Sequence, residues 1–282
     1  MAEATNSKEI HEILPTEIFV NILKRLDFKS IVNAKRTCKN WKKIIEDFKL
    51  VEEVSMKTRC IIVAYGEDSN NLEILFGDFK NWHNFLTSVL WGYSHANLAL
   101  HDGEILRIGG STRECNKLLF ASPNNEHHSI LTSLRHAPSV VTTETATFVF
   151  GSRSGASRTT YEYLEKGSTT WQEGKIPIPG GFSCGSAIAI NQEILLIGGL
   201  GTGKRILSFD VNNHSFKELS TKLNKRRYGH NCAIIPGTKN VMITGGFFGR
   251  EEGLESTEIF DAENESITMG SPLNSEILLR KN

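Results

Sequence analysis

The sequence predicts a multidomain chain, with a short all-α segment followed by a longer all-β region. Two observations predict this division. Up to about residue 50 the apolar residues recur with helical spacing, whereas from about Arg59 they occur in short runs bounded by glycine, asparagine, aspartate and serine. In the second part a glycine doublet recurs roughly every 45 residues, which is the spacing of a repeated structural unit.

The N-terminal segment is expected to form three short amphipathic helices. The first apolar stripe has members four residues apart: Leu14, Ile18, Ile22 and Leu26. The next two helices carry the sets Ile31 with Ala34, and Trp41, Ile44, Ile45 and Phe48. Three helices in so few residues bury little surface alone, so we expect a partner to complete their core.

The glycine doublets divide the all-β region into repeats. They stand at Gly109-Gly110, Gly198-Gly199 and Gly245-Gly246, with Gly151-Ser152 as a degenerate copy. A histidine precedes three of them at similar intervals: His95, His136 and His230. A period of about 45 residues made of four short strands is typical of a β-propeller blade.

The repeat predicts four full blades and one partial blade. The full copies begin near His95, His136, Ser183 and His230, and the stretch from Cys60 to Thr87 supplies three strands of another. The strand-like segment from Ser275 to Leu279 could add the missing strand and close a ring of five. A truncated, partly open ring is the alternative, and the sequence leaves both open.

The stretch ILLIGGLGTGK, which ends at Lys204, also fits a phosphate-binding loop. Such a loop needs a helix behind it and a Ser or Thr after the lysine. Here Arg205 follows Lys204, and the strand-like run ILSFDV comes next. We therefore interpret these glycines as part of the blade repeat and expect no nucleotide site.

Composition restricts the function classes. Lys+Arg and Asp+Glu each number 32, so no net charge favours nucleic acid or a membrane as partner. Residues 1–11 are polar and are expected to be disordered, without a secretory or transit signal. The five cysteines form no Cys-x-x-Cys motif, and no set of residues has metal-ligand spacing. We expect a cytoplasmic and/or nuclear protein with no cofactor, no metal and no catalytic residues.

Three pieces of the N-terminal segment, in this order, resemble the F-box family. They are Leu14-Pro15-Thr16-Glu17-Ile18, then the apolar set Ile22, Leu23 and Leu26, and then Arg36-Thr37-Cys38-Lys39-Asn40-Trp41. The resemblance covers residues 12–52 and implies docking to the Skp adaptor of a cullin-based ubiquitin ligase. The adaptor-binding residues that it implies are Leu14, Pro15, Ile18, Ile22, Leu26, Ile31, Cys38 and Trp41.

The glycine repeats over residues 53–282 resemble kelch repeats. A kelch propeller joined to an F-box resembles the non-catalytic substrate receptors of SCF-type (Skp–cullin–F-box) ubiquitin ligases, in which the propeller binds a target protein. The alternative is a kelch scaffold that binds a cytoskeletal or signalling protein without ubiquitin transfer.

The loops behind the glycine doublets are rich in arginine. We predict target-binding residues among them: Arg113, Arg153, Arg158, Arg205 and Arg250. Arginine side chains suit carboxylate or phosphate groups, which favours an acidic or phosphorylated target segment. Glu114, Glu251 and Glu252 stand in the same loops, so scattered surface charge remains the alternative.

Overall fold

The computed structural model describes residues 15–26, 28–35, 37–50, 62–65, 71–75, 82–86, 96–117, 126–249 and 252–273. The chain divides into two compact units. One comprises Met1–Gly92 with Leu118–Glu126, and the other Tyr93–Lys117 with His127–Asn282. The first unit holds the helices and the first three strands, and the second holds the repeated sheets.

Three helices form as predicted. They are α1 (Thr16–Leu23), α2 (Phe28–Ala34) and α3 (Lys39–Asp47). Phe19, Leu23, Ile31 and Ile45 on these helices are almost completely buried. No helix in the described ranges is long and apolar enough to cross a membrane.

Nineteen described strands form five antiparallel sheets. A three-stranded sheet contains β1 (Ile62–Tyr65), β2 (Asn71–Leu75) and β3 (Trp82–Leu86). The first four-stranded sheet contains β4 (Asn97–His101), β5 (Glu104–Ile108), β6 (Glu114–Lys117) and β7 (Glu126–Ile130). The second contains β8 (Ser139–Thr142), β9 (Ala146–Phe150), β10 (Thr160–Glu165) and β11 (Gln172–Lys175).

Two further four-stranded sheets complete the described strands. The third contains β12 (Ser186–Ile190), β13 (Glu193–Ile197), β14 (Arg205–Asp210) and β15 (Ser215–Lys222). The fourth contains β16 (Asn231–Ile234), β17 (Asn240–Thr244), β18 (Thr257–Asp261) and β19 (Ser266–Met269). Each sheet is a meander, in which every strand pairs with the next along the chain. This agrees with the predicted four full repeats and one of three strands.

The second unit stacks its sheets in chain order. The first strands β4, β8, β12 and β16 are neighbours in succession, and an apolar layer lies between each pair of adjacent sheets. Val149 and Leu164 contribute to the first layer, Phe148 and Phe209 to the second, and Leu195, with its neighbours on the fourth sheet, to the third. This arrangement is consistent with propeller blades, although the described strands form no closed sheet. The Ser275-to-Leu279 segment lies outside the described residues, so a closed ring of five and a partly open ring both stay predictions.

The glycine-rich stretch before Lys204 leads into a strand. β14 begins at Arg205, directly behind the lysine. The amide groups of a helix N-terminus, which would hold a phosphate, are therefore absent at this position. A strand at this position is what the interpretation of these glycines as a repeat feature predicts.

One repeat marker was wrong. His230 directly precedes the first strand of the fourth sheet. The residue that directly precedes the first strand is Pro138 in the second sheet and Gly185 in the third. His136 lies two residues earlier, at the place of Tyr228. Pro138 and His230 both lie against the first glycine of the preceding doublet. Because proline and glycine also occupy this place in other sheets, it does not require an imidazole.

Candidate functional site

The first candidate surface lies on α1. Residues Phe19, Val20 and Leu23 of this helix are buried, whereas Ile18 is 49% and Ile22 is 47% exposed. Side chains four residues apart lie on the same side of a helix. Ile18 and Ile22 therefore form one exposed apolar strip, and the remaining apolar residues of α1 hold the helix in place.

A groove lies beside this strip. It has a volume of about 570 Å³, and its lining includes Ile22, Leu26 and Trp41. The rings of Phe19 and Trp41 meet edge to face, with centroids 5.0 Å apart, so that contact fixes α1 against α3. Three residues that the resemblance implies for adaptor binding thus come together at one open groove.

The other implied adaptor-binding residues have different surroundings. Pro15 is exposed. Cys38 is the N-cap of α3, and its Sγ accepts from the Trp41 backbone N–H at 3.5 Å. Ile31 is fully buried, so in this structure it stabilises the helical core and presents no surface to a partner. Leu14 lies outside the described residues.

The second candidate surface lies at one end of the second and third four-stranded sheets, and we call it the basic loop face. It consists of residues 151–159, 176–185, 198–204 and 223–230. In a four-stranded meander the loop between the second and third strands and the exit to the next sheet lie at the same end. The backbone confirms this, because Leu223 N–H donates to Lys204 O at 2.9 Å and Ile176 N–H to Thr159 O at 2.7 Å.

Backbone hydrogen bonds join the four segments of the basic loop face. Phe182 N–H donates to Arg158 O at 2.8 Å, and Leu200 N–H donates to Ser183 O at 2.8 Å. Gly199 N–H then donates to Arg227 O at 2.7 Å. Because each loop is bonded to the next segment along, the face is one continuous surface within the second unit.

A buried arginine holds the loop that carries Arg153 and Arg158. The Arg135 guanidinium donates to Gly151 O at 3.2 Å and to Thr160 O at 3.0 Å, at the two ends of that loop. Its Nε also donates to the buried Glu162 carboxylate at 2.7 Å. The loop is therefore anchored at both ends, and its two exposed arginines project from a rigid base.

A second buried Arg–Glu ion pair lies at the equivalent place in the fourth sheet. Arg227 donates to Gly245 O at 2.9 Å, to Ser256 O at 3.0 Å and to Glu258 at 2.7 Å, and the side chains of this ion pair are also fully buried. Sequence reasoning missed both ion pairs. Their signal was an Arg four residues before a first strand together with a Glu in the third strand of the same repeat.

The predicted target-binding arginines separate into two groups. Arg153 and Arg158 are exposed on the basic loop face. Arg205 is partly occupied by its own chain, since it donates to Gly201 O at 3.0 Å and lies 3.7 Å from the Glu218 carboxylate. Arg113 lies in the loop between β5 and β6 of the first four-stranded sheet and donates to Thr132 O at 3.3 Å. Arg250 lies outside the described residues.

The buried histidines have structural surroundings. Burial lowers the pKa of His101, whose Nδ1 lies 3.0 Å from the Thr147 hydroxyl. Burial and the Arg227 charge lower the pKa of His230 to about 3. Within the described ranges, no three His, Cys, Asp or Glu side chains are arranged to hold a metal ion.

Comparison with known proteins bears on the helical surface. Residues 12–53 match the model of the F-box domain family. F-box domains bind the Skp adaptor within SCF complexes that contain cullin, and F-box proteins are generally non-catalytic substrate receptors. No curated protein sequence matches the chain. Residues 12–53 are thus an F-box domain, which supports an F-box protein whose C-terminal region is built from antiparallel β-sheets.

Proposed function

We propose that this protein is the substrate receptor of an SCF-type ubiquitin ligase, with a kelch-type propeller that binds the target. The observation that carries the proposal is the F-box domain at residues 12–53, with its exposed apolar strip of Ile18 and Ile22 beside an open groove. Apolar side chains that leave water when the adaptor binds would supply the driving force. We expect this assembly in the cytoplasm or nucleus.

The proposed mechanism is positional. The helices dock the adaptor, and the β-rich unit holds the target within reach of the ubiquitin-charged enzyme that the complex brings. Holding both in one assembly raises the effective concentration of the target at the transferring enzyme. The chain itself supplies binding surfaces, and the chemistry belongs to its partners.

The test is co-precipitation of the full chain with a Skp adaptor and cullin. We expect the Ile18→Glu/Ile22→Glu variant to lose the adaptor, because it places two charges in the contact that should be dry, each costing on the order of 2 kcal/mol or more. Lys43→Glu, an exposed change on α3, is the matched control and should bind normally. The Leu14→Ala/Pro15→Ala variant tests the start of the predicted motif.

Adaptor binding that survives the double glutamate variant would contradict this assignment of the surface. Wild-type protein that fails to bring down adaptor and cullin would overturn the receptor function, and would favour a scaffold that works without ubiquitin transfer.

A further inference from the structure

We propose that the basic loop face binds an extended acidic segment of the target protein. Arg153 and Arg158 would pair with its carboxylates, and one of its apolar side chains would lie on the aromatic residues Tyr228, Phe247 and Phe248. This inference rests on the proposed function, since it names the kind of segment that the β-rich unit would hold.

The charge of the basic loop face is of one sign. Its segments contain no aspartate or glutamate, and five of their cationic side chains are exposed: Arg153, Arg158, Lys204, Lys225 and Arg226. None of these five forms an ion pair with another residue that the structure describes. The partly buried Arg205 is different, because Glu218 already lies 3.7 Å from it. Five exposed cations without a partner carboxylate favour an anionic ligand.

Cys184 marks where the cationic and aromatic parts of the surface meet. The segment that leads to Cys184 lies against Arg158, since Phe182 N–H donates to Arg158 O at 2.8 Å. The positive charges of Arg153 and Arg158 both oppose the rise in the pKa of the Cys184 thiol that burial causes. The Cys184 backbone also contacts the fourth segment of the face, because Cys184 O accepts from Gly229 N–H at 2.7 Å. Gly229 directly follows Tyr228, so the aromatic residues begin next to the cations.

The aromatic part is partly exposed, with Tyr228 and Phe247 half-buried, and its rings are held by contacts. The rings of Tyr228 and Phe247 stack with centroids 5.7 Å apart, and the Tyr228 hydroxyl donates to Gly249 O at 2.6 Å. Phe248 is 45% exposed. Rigid aromatic side chains lose little conformational freedom on binding and bury a large area, which suits an apolar anchor residue of a ligand.

The distribution of the cations favours several carboxylates over one phosphate. The five side chains come from three separate segments, residues 151–159, 198–204 and 223–230. A single dianion needs donors that converge on one point, whereas an extended chain with spaced acidic residues matches cations that are spread out. Glu252 and Glu255 are exposed in the next loop of the fourth sheet, so the acidic part of the ligand should lie on the Arg153 side of Cys184.

The experiment is a selection followed by a measurement of affinity. Phage-displayed random peptides are selected on the immobilised full chain, and the selected sequences are scored for Asp and Glu next to an apolar residue. A selected acidic peptide is then labelled and its affinity measured by fluorescence anisotropy, beside its Gln/Asn counterpart and a counterpart in which phosphoserine is the only acidic group. The Arg153→Glu/Arg158→Glu variant should bind the acidic peptide about tenfold more weakly or worse.

The matched control is Lys166→Glu/Lys239→Glu, which makes the same change in net charge at the opposite end of the sheets. We expect it to keep the wild-type affinity, and we expect wild-type binding to weaken as salt is added. Phe248→Ala should weaken binding without changing its salt dependence.

Three outcomes would overturn the proposal: selected peptides without acidic enrichment, equal losses in the two charge-reversal variants, or tighter binding of the phosphoserine peptide. Peptide affinity is measured without adaptor, so this result is separate from co-precipitation. If the wild-type protein binds the peptide but no adaptor, the receptor function is contradicted and the peptide site is not.

Discussion

At the scale of single residues, two different kinds of buried side-chain pair occupy equivalent places in the sheets. In the second and fourth sheets a buried Arg–Glu pair joins the segment before the first strand to the third strand. In the third sheet the same two places are taken by Phe182 and Leu207, which are also buried. A buried ion pair and a buried apolar pair of similar volume can give a protein similar stability. Removing one partner of the ion pair is strongly destabilising, because the other charge stays buried without compensation.

Glu162→Leu should therefore destabilise the protein strongly, by about 3 to 5 kcal/mol, because it leaves the buried Arg135 without its carboxylate. Adding Arg135→Phe removes that uncompensated charge. We expect the double variant to be more stable than the sum of the single changes predicts, by about 0.5 to 3 kcal/mol. Urea unfolding of all four proteins measures this coupling.

Additive losses in this cycle would contradict the view that the two side chains act as one unit. Full recovery is not expected. The backbone N–H groups of Thr132 and Ser133 also donate to Glu162, at 2.6 and 3.1 Å, and would lose their acceptor.

His230 makes a second prediction at this scale, for the dependence of stability on pH. Burial and the charge of Arg227 lower its pKa from 6.5 to about 3 in the folded protein. Below pH 6.5 the unfolded chain binds a proton at this site that the folded protein does not. The contribution to stability is thus complete above pH 6.5 and is lost as the pH falls toward 3, at up to about 1.4 kcal/mol per pH unit.

The measurement is the urea midpoint as a function of pH for the wild type and His230→Asn. The variant lacks the imidazole and should show a shallower loss of stability across this window. Parallel pH profiles would show that other groups cause the acid sensitivity.

At the scale of structural elements, the glycine doublets make room for the next segment of backbone. Gly199 has φ +97°, and a Cβ there would lie 2.7 Å from Ser183 O. Gly203, in the same loop, has φ +68° and no atom within 4 Å of such a Cβ. Gly199 is therefore required for the close approach of its loop to the segment that contains Ser183. Gly203 is required only for its backbone angle.

Substituting these two glycines separates the effects. Gly203→Ala should cost about 1 to 2 kcal/mol, from the left-handed backbone conformation alone. Gly199→Ala should cost roughly 1 to 3 kcal/mol more, because the neighbouring backbone must also move. Chemical unfolding of the two variants is the measurement. Equal losses would mean that the approach to Ser183 is easily relieved.

At the scale of the whole molecule, a neutral chain presents a strongly uneven surface. The chain has 32 cationic and 32 anionic residues, yet the described segments of the basic loop face hold cations without acids. The fields of neighbouring opposite charges largely cancel, whereas those of a cluster of one sign add up and act over about one Debye length, roughly 10 Å at 0.1 M salt. The exposed strip of α1 is apolar, whereas the basic loop face is charged. Variants on one surface therefore test its binding without changing the chemistry of the other.

Local sequence determined most of the architecture. Helical spacing predicted three helices, and the glycine period predicted four full repeats and a partial one, because apolar periodicity and the need for glycine are properties of neighbouring residues. The strand behind Lys204 also followed from the run ILSFDV. The wrong prediction for His136 shows what sequence spacing cannot decide. Two residues at the same distance from a glycine doublet need not lie at the same position relative to the first strand of their sheets.

Only the tertiary structure decided which of these residues are available to a partner. Ile31 and Ile22 belong to equally plausible apolar stripes in the sequence, yet Ile31 is buried and Ile22 borders an open groove. Arg135 meets a glutamate 27 residues away, and Cys184 lies among loops of separate sheets. The sequence by itself settled the elements and their order, because these depend on short-range pattern. Exposure, ion pairing and the collection of cations on one face were settled by folding, because they depend on contacts between residues that are distant along the chain.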